Sequence, residues 1–146
     1  MSIIGFTGTQ EGMTRHQQRS LESYLFSVRR MSTFIHGDCI GADEEAHTIA
    51  RGLGFYIAIY PSDIEAKRAF CAGATVVEFP PKSPLQRNRN IVRSCHYLIA
   101  CPKTPMEQLR SGTWATVRFA DTIHKQTLLI LPDGTMHKRH PEWEER

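Results

Sequence analysis

The segment His36-Gly37-Asp38-Cys39-Ile40-Gly41-Ala42-Asp43 contains two glycines that bracket a turn. The strand-like segment 33–36 leads into this turn, and residues 42–51 after it carry small apolar side chains at helical spacing. A buried strand that passes through a glycine turn into a helix is the repeating unit of α/β proteins. The stretch therefore predicts a parallel sheet with helices packed on it.

Three further segments occupy the same position between a strand and a helix. They are Gly5-Phe6-Thr7-Gly8-Thr9, residues 80–90, and Ser111-Gly112-Thr113-Trp114-Ala115-Thr116. Strands that are apolar throughout and alternate with helices imply a mostly parallel sheet covered on both faces. We predict an α/β protein with a three-layer, mostly parallel, doubly wound sheet. The turns would then meet at the carboxyl edge of the sheet, where helix N-termini can face one anionic ligand.

The hydrophobic periodicity predicts five buried strands, one weaker extended segment and five helices. The strands cover residues 3–7, 33–36, 55–60, 96–101 and 127–131, and the weaker segment covers 75–79. The helices cover residues 14–30, 42–51, 62–71, 84–94 and 111–125, with Ser62 as the N-cap of the short third helix. We expect a single domain over residues 1–132. Residues 133–146 are polar and charged, and we expect either a mobile tail or a short hairpin.

The composition is that of an ordinary globular protein. The 146 residues carry a formal net charge of +3, which is too weakly basic for a nucleic-acid coat but allows anionic small ligands. No apolar run approaches the roughly 20 residues of a membrane span, and the N-terminus lacks the basic region of a signal peptide. We therefore expect a cytoplasmic protein without a membrane partner.

The four cysteines form neither a metal-binding nor a disulfide pattern. Cys39, Cys71, Cys95 and Cys101 contain no C-x-x-C pair, and no second ligand pair stands at a usable spacing. In a chain without an export signal, reduced core thiols are favoured over disulfides. The sequence thus predicts no metal site and no cofactor.

The turn at residues 5–9 supplies the first candidate ligand contacts, Gly8 and Thr9. Glycine permits close backbone approach, and a threonine hydroxyl can bond a phosphate or a ribose. The sequence matches neither G-x-G-x-x-G nor G-x-x-x-x-G-K-[ST], so the dinucleotide-binding and P-loop classes are not indicated. Ligand contact and a plain tight turn are equal alternatives here.

The turn at residues 36–43 is more specific and supplies Gly37, Asp38, Gly41 and Asp43. Asp43 stands in the first helical turn, where its carboxylate either caps the helix or contacts a ligand. We expect Asp38 to be exposed at the end of the strand, where it could accept hydrogen bonds from sugar hydroxyls. His36 is expected to be a packed residue of the strand end rather than a catalyst.

The last two turns add a cationic group, Arg87, and the segment Ser111-Gly112-Thr113, which we call the anion seat. Arg87 with Asn88, or with Asn90 near the same helix face, would fix a phosphate or a purine edge. A guanidinium offers a planar fork, and an amide both donates and accepts hydrogen bonds. The segment Ser111-Gly112-Thr113 opens a helix, so its backbone amides and hydroxyls are typical of an anion-binding helix N-terminus.

Together these motifs resemble the SLOG superfamily. The matching residues are His36-Gly37-x-x-x-Gly41-Ala42-Asp43-x-x-Ala46, Arg87-Asn88-x-x-Ile91 and Ser111-Gly112-Thr113, and the resemblance spans about residues 3–131. This group joins the Smf/DprA-type DNA-processing domains, the LOG-type phosphoribohydrolases and small stand-alone members, to which the chain is most similar. The resemblance implies a Rossmann-like domain, often a homodimer or other homo-oligomer, that holds nucleotide-derived ligands over the sheet edge.

One departure from the family pattern bears on activity. In the hydrolase branch the fourth turn resembles G-G-x-G-T-x-x-E, whose glutamate works with an arginine on the N-glycosidic bond. In this sequence Thr116 stands at the place of the glutamate, and Ser111-Gly112 replaces the first glycine pair. A threonine cannot stabilise an oxocarbenium-like centre or activate water as a carboxylate does. The resemblance therefore favours binding over hydrolysis by the family's route.

Three functions are consistent with this sequence, and the first is favoured. It is the binding of a nucleotide or nucleotide-derived ligand at the carboxyl edge of the sheet, as a sensor or a carrier. The second is N-glycoside hydrolysis of nucleoside monophosphates, with Asp38 as the carboxylate and Arg87 as the substrate clamp; Asp63 or Glu65 could replace Asp38. The third, taken from the DNA-processing branch, is single-stranded DNA binding, which is least favoured because the basic residues are scattered.

Overall fold

The computed structural model describes residues 2–73 and 75–139, which form a single seven-stranded sheet. The strands are β1 (Ser2–Gly8), β2 (Ser32–His36), β3 (Tyr56–Ile59), β4 (Val76–Glu78), β5 (Tyr97–Cys101), β6 (Thr127–Ile130) and β7 (Met136–Lys138). Their order across the sheet is β4-β3-β2-β1-β5-β6-β7. The neighbouring strands among β1 to β6 pair in parallel, whereas β7 is antiparallel to β6.

Within the described residues, four α-helices connect the strands of this sheet. They are α1 (Arg15–Val28), α2 (Ala42–Gly52), α3 (Pro84–Ser94) and α4 (Gly112–Thr122). The chain moves outward from β1 to β4 and then places β5 on the other side of β1, so the winding reverses between β1 and β5. The predicted α/β fold with a mostly parallel, doubly wound sheet is confirmed.

The core consists of one apolar layer on each face of the sheet. Helices α1 and α2 cover one face, where Leu21 and Leu25 pack with side chains of the central strands such as Phe6. Helices α3 and α4 cover the other face, where Ile91 packs with Leu98. Successive side chains of a strand point to opposite faces, which is why strands that are apolar throughout serve both layers.

Gln17 fixes the position of α1 relative to the carboxyl ends of β5 and β6. Its buried amide donates to the carbonyls of Pro102 at 2.8 Å and Ile130 at 2.9 Å. Its side-chain oxygen accepts from the amide of Thr14, and the Thr14 hydroxyl accepts from the amide of Gln17, which completes a capping box. The sequence predicts the helix start, but only the structure shows that the same glutamine joins three elements.

The predicted helix over residues 62–71 is wrong. The structure has only a single 3-10 turn, Glu65–Lys67, in this segment. The Ser62 hydroxyl accepts from the amide of Ile64 in a local turn, and the amides of Ala69 and Cys71 donate to Asp38 instead of to helix carbonyls. Tertiary hydrogen bonds therefore replace the helical ones that local propensity favours. The other predicted strands and helices are present, with ends shifted by a few residues.

The polar segment after β6 begins with a hairpin. Gly134 donates its amide to Leu131 at 2.7 Å, and β7 then runs back along β6, with Leu129 opposite His137. Residues 140–146 lie outside the described part of the chain. None of the helices within residues 2–73 and 75–139 combines the length and the apolar composition that a membrane crossing requires.

A substitution in the turn between β2 and α2 tests how strongly the fold depends on Gly41. Gly41 has φ +91°, and a Cβ at this position would lie 2.3 Å from the carbonyl oxygen of Gln10. We expect Gly41→Ala to lower the free energy of unfolding by about 2 kcal/mol or more, because both the backbone and the neighbouring loop must move. Urea denaturation followed by circular dichroism measures this loss.

The matched control is Gly52→Ala near the end of α2, where a Cβ meets open space. This change should be neutral or stabilising by about 0.5–1 kcal/mol, since alanine favours the helix. Equal effects at the two positions would show that the turn does not require glycine.

Candidate ligand-binding site

A cleft of about 460 Å³ lies at the carboxyl edge of the sheet, beside the ends of β1 and β5. In open α/β sheets, ligands bind in the crevice where the winding reverses. Two thirds of the predicted site residues lie in the lining of this cleft: Gly8, Thr9, Asp43, Arg87, Asn88, Ser111, Gly112 and Thr113. The other four, Gly37, Asp38, Gly41 and Asn90, lie outside it.

The N-terminus of α4 forms one wall of the cleft. Ser111 caps this helix, since its hydroxyl accepts from the amide of Trp114 at 3.2 Å and its carbonyl accepts from Ala115 at 2.9 Å. The amides of Gly112 and Thr113 precede the first intrahelical hydrogen bond. A helix N-terminus carries free backbone donors and the positive end of the helix dipole, and both of these residues line the cleft.

The loop after β1 forms the opposite wall. The carbonyl of Thr9 accepts from Ala42 at 3.0 Å, which joins this loop to the start of α2, and its hydroxyl accepts from the amide of Glu11 at 3.2 Å. The hydroxyl of Thr9 keeps its own hydrogen to donate. Gly8 and Thr9 thus belong both to a tight turn and to the cleft lining, so the two alternatives left by the sequence are compatible.

Arg87 lies at the base of the cleft, where only 5% of the residue is exposed. Its Nη1 donates to the carbonyl of Gly37 at 2.5 Å and lies 3.4 Å from that of Tyr60. Its Nε donates to Asn88 Oδ1 at 2.7 Å, and its Nη2 lies 3.4 Å from Cys39 Sγ. Most of its donors are therefore used within the protein, and Arg87 joins α3 to the ends of β2 and β3.

Gly37 makes this arrangement sterically possible. A Cβ at Gly37 would lie 2.5 Å from Arg87 Nη1 and 3.0 Å from Asp43 Oδ2. The close approach of the guanidinium therefore requires glycine at this position. Asn90, the alternative partner of Arg87, lines a separate hollow of about 130 Å³ beside Tyr60.

Asp43 and Cys39 are partly hidden beneath the cleft floor. The carboxylate of Asp43 accepts from the Cys39 amide at 3.1 Å, so Asp43 closes the turn and also lines the cleft. Burial raises the pKa of Asp43 from 3.8 to about 6, although the nearby Arg87 opposes this shift. Burial, with a smaller contribution from Asp43, raises the pKa of the Cys39 thiol to about 11. The thiol is therefore neutral and poorly nucleophilic.

The expectation that Asp38 is exposed at the strand end is wrong. Its side chain is fully buried, with Oδ2 at 2.8 Å from Arg68 Nε and Oδ1 at 2.8 Å from the amide of Cys71. The residue has φ +58°, which turns its carboxylate away from the cleft and into the segment before β4. A buried, ion-paired carboxylate cannot reach a sugar in the cleft. The hydrolase mechanism that relies on Asp38 therefore loses its carboxylate.

His36 belongs to a chain of buried hydrogen bonds. The amide of Asp38 donates to His36 Nδ1 at 2.9 Å, so the neutral ring carries its hydrogen on Nε2 and donates to His47 Nδ1 at 2.9 Å. His47 in turn donates from Nε2 to the carbonyl of Ala72 at 2.9 Å. Burial first, and then His47 and Arg87, lower the pKa of His36 to about 3, which keeps it neutral.

This chain also bears on metal binding. Among residues 2–73 and 75–139, one group of three side chains could offer metal ligands, His36, His47 and Cys71, with their ligand atoms within 4.8 Å of one another. A metal needs an unprotonated ring nitrogen, yet both nitrogens of His36 are already used by the amide of Asp38 and by His47. The group fits a hydrogen-bond chain and not a metal centre.

Two lysines in the cleft are missing from the sequence prediction. Lys67 enters from the segment between β3 and β4, and Lys103 enters from the loop after β5. Lys103 forms an exposed ion pair with Glu11 of the opposite wall. No motif surrounds either lysine, and each comes from an irregular loop. The sequence therefore carries no signal that could have placed them in the site.

Comparison with known proteins is informative at the level of structure. No protein-family model matches the sequence, and no curated protein matches it. The chain is similar to the molybdenum cofactor binding protein of Rippkaea orientalis, with a TM-score of 0.66 and 20% identity over 89% of this chain and 76% of that one. It is also similar to the Moco carrier protein of Chlamydomonas reinhardtii, with a TM-score of 0.63 and 19% identity over 99% and 80% of the two chains.

A third similar structure is DNA processing protein A of Helicobacter pylori, which binds single-stranded DNA. The TM-score is 0.59 at 16% identity, over 88% of this chain and 64% of that one. The chain shares the fold of these three proteins. The predicted Rossmann-like fold is thus confirmed.

Thr116 stands at the position where the hydrolase pattern that the sequence resembles carries a glutamate. It is buried in α4, and its hydroxyl donates to the carbonyl of Gly112 at 2.9 Å. A serine or threonine that bonds back to its own helix has no hydrogen left for a ligand. The position that carries glutamate in the hydrolase pattern therefore has a structural role here.

The raised pKa of Asp43 gives a pH-dependent prediction. In the folded protein Asp43 keeps its proton up to about pH 6, whereas in the unfolded chain it ionises near pH 3.8. The stability that it contributes is therefore full below pH 3.8 and is lost as the pH rises through about 6. We expect the free energy of unfolding of Asp43→Asn, relative to the native protein, to increase by about 2–3 kcal/mol between pH 4 and pH 7.

Urea denaturation of both proteins at pH 4, 5, 6 and 7 measures this difference. The difference between the stability curves of the two proteins removes the contribution of His36. Because the pKa of His36 is lowered, that contribution makes both proteins more stable as the pH rises. A difference that stays constant with pH would mean that Asp43 is already ionised at pH 4.

Proposed function

We propose that this protein binds a phosphate-bearing small molecule, a nucleotide or a nucleotide-derived ligand, in the cleft and acts as a sensor or carrier. One observation carries the proposal: the first-turn amides of Gly112 and Thr113 face the same cavity as the Gly8-Thr9 loop and two lysines. Helix N-termini and glycine loops favour anions because their backbone donors are unpaired. The volume of about 460 Å³ lies in the range of small-ligand pockets.

The charge of the cleft supports an anionic ligand. Three basic side chains line it, Lys67, Arg87 and Lys103, against two acidic ones, Glu11 and Asp43. Because burial raises the pKa of Asp43 to about 6, that group carries less negative charge near neutral pH than an exposed aspartate. The helix dipole of α4 adds a further positive potential.

The structural comparisons suggest which ligands to test. Two similar structures are proteins named for binding or carrying the molybdenum cofactor, and they share only the fold with this chain. The molybdenum cofactor therefore belongs in a ligand panel beside nucleoside monophosphates and cyclic nucleotides. The panel separates a cofactor carrier from a nucleotide sensor.

Binding without hydrolysis is the form of the proposal that the side chains support. Thr116 replaces the family's glutamate and uses its hydroxyl within α4. Asp38, the substitute carboxylate, is buried in an ion pair with Arg68. The alternatives Asp63 and Glu65 lie outside the cleft lining. N-glycoside hydrolysis by any of these carboxylates would require the turn or the loop to rearrange.

A charge placed at the anion seat tests the proposal. A Cβ at Gly112 meets open space, and an acidic residue in the first helical turn suits the dipole, so Gly112→Asp should fold normally. Its carboxylate would occupy the position of the ligand phosphate. We expect binding of a nucleotide or of the molybdenum cofactor to weaken on the order of ten-fold or more in titration calorimetry.

Gly112→Asn is the matched control, because it has nearly the same size without the charge. Its affinity should stay within a few-fold of the native protein. Equal losses in the two variants would indicate steric exclusion and not an anion seat. If the native protein binds no member of the panel, the proposed function is wrong.

A further inference from the structure

The segment between β3 and β4 is held against the turn that follows β2. The amide of Ile40 donates to the carbonyl of Lys67 at 3.1 Å, and the amide of Ala69 donates to the carbonyl of Asp38 at 2.8 Å. The carboxylate of Asp38 accepts from the amide of Cys71 at 2.8 Å. This segment has little regular structure, and long irregular connections in compact domains usually serve a function.

A buried ion pair fixes the contact between the two segments. Asp38 Oδ2 lies 2.8 Å from Arg68 Nε, with the side chains 0% and 8% exposed. Arg68 also lies 3.3 Å from Glu78 and stacks on the ring of Phe70 at 4.3 Å. Removing one partner of a buried pair leaves an uncompensated charge, so this contact strongly restricts where residues 67–71 can lie.

Two non-glycine residues adopt left-handed backbone conformations at this contact. Asp38 has φ +58° and Phe70 has φ +54°. Such conformations are uncommon outside glycine and persist where the surrounding structure requires them. Here the turn of Asp38 carries its carboxylate to Arg68 and away from the cleft, while the main chain of the next residues continues beneath the cleft.

The result of this arrangement is the placement of Lys67. It directly precedes Arg68 and lines the cleft with Cys39 and Asp43. Within residues 2–73 and 75–139, its ammonium group makes no hydrogen bond or ion pair, whereas Lys103 is paired with Glu11. Most donors of Arg87 are used inside the protein as well. Lys67 is therefore the cation of the cleft that is most available to a ligand.

We propose that Lys67 contacts the phosphate of the bound ligand and that Asp38 is the positioning residue that holds it there through Arg68 and the backbone of residues 67–71. This inference rests on the proposed function, and it assigns to Asp38 a role different from direct ligand contact or catalysis. The negative charge of Asp38 acts on the segment, and the positive charge of Lys67 acts on the ligand.

Lys67→Met tests the ligand contact. The probe is pyrophosphate, or the nucleotide of the panel that binds best, titrated by calorimetry at several salt concentrations. We expect roughly ten-fold weaker binding, the size of one charge-assisted hydrogen bond. The dependence of log Kd on log salt should become shallower, since one ionic contact fewer is screened. Lys82→Met, an exposed lysine outside the cleft, is the matched control and should bind as the native protein does.

Asp38→Asn tests the positioning role. Asparagine tolerates the left-handed conformation and can still accept from Cys71, but it lacks the charge that Arg68 requires. We expect the same ten-fold loss and the same shallower salt dependence as for Lys67→Met. In the double variant the two losses should not add, because both remove one contact. Arg68→Gln serves the same purpose if Asp38→Asn does not fold.

A readout without ligand separates this inference from the proposed function. Hydrogen exchange of the Ala69 and Cys71 amides should accelerate in Asp38→Asn while the strands stay protected. Native affinity in Lys67→Met, or additive losses in the double variant, would overturn the inference and leave the proposed function standing. If the native protein binds no probe, the proposed function fails together with the role of Lys67. Unchanged exchange in Asp38→Asn would then refute the positioning role separately.

Discussion

The hydrogen bond from Arg87 to the carbonyl of Gly37 is the contact on which the cleft depends. The guanidinium belongs to α3 on one face of the sheet, and the carbonyl follows β2, whose connection leads to α2 on the other face. A side chain that is 5% exposed and charged must satisfy its donors internally, and Gly37 and Asn88 supply the acceptors. The position of the cleft floor follows from this requirement.

The polar residues beneath the cleft act as a second layer that shapes the first. His36 and His47 form a neutral hydrogen-bond chain, while Asp38 and Arg68 form an ion pair at the same strand end. Each of these four side chains has a hydrogen-bond partner, as polar groups in a low-dielectric interior require. These buried residues hold the residues that line the cleft in place. Rigid binding sites are usually supported in this way.

The fold and one wall of the site are predictable from local sequence. Thr14, Ser83 and Ser111 each accept the hydrogen bond that starts a helix, because a cap depends on residues within one turn. Ser62 has the same N-cap signal, yet only a 3-10 turn follows it. The amides that a helix would use there are instead taken by Asp38, about thirty residues away in the chain. Helix propensity is a property of the local sequence, but hydrogen bonds to a distant acceptor can outweigh it.

Apolar periodicity and helix caps are properties of neighbouring residues, so the sequence predicts the order of the elements, the parallel sheet and the capped N-terminus of α4. Which side chains reach the cleft depends on the tertiary structure. Asp38 turns away from it, Asn90 lines another hollow, and Lys67 enters it from an irregular loop. The direction of a side chain at a turn depends on backbone conformation and on long-range hydrogen bonds, and residue type and spacing do not encode these.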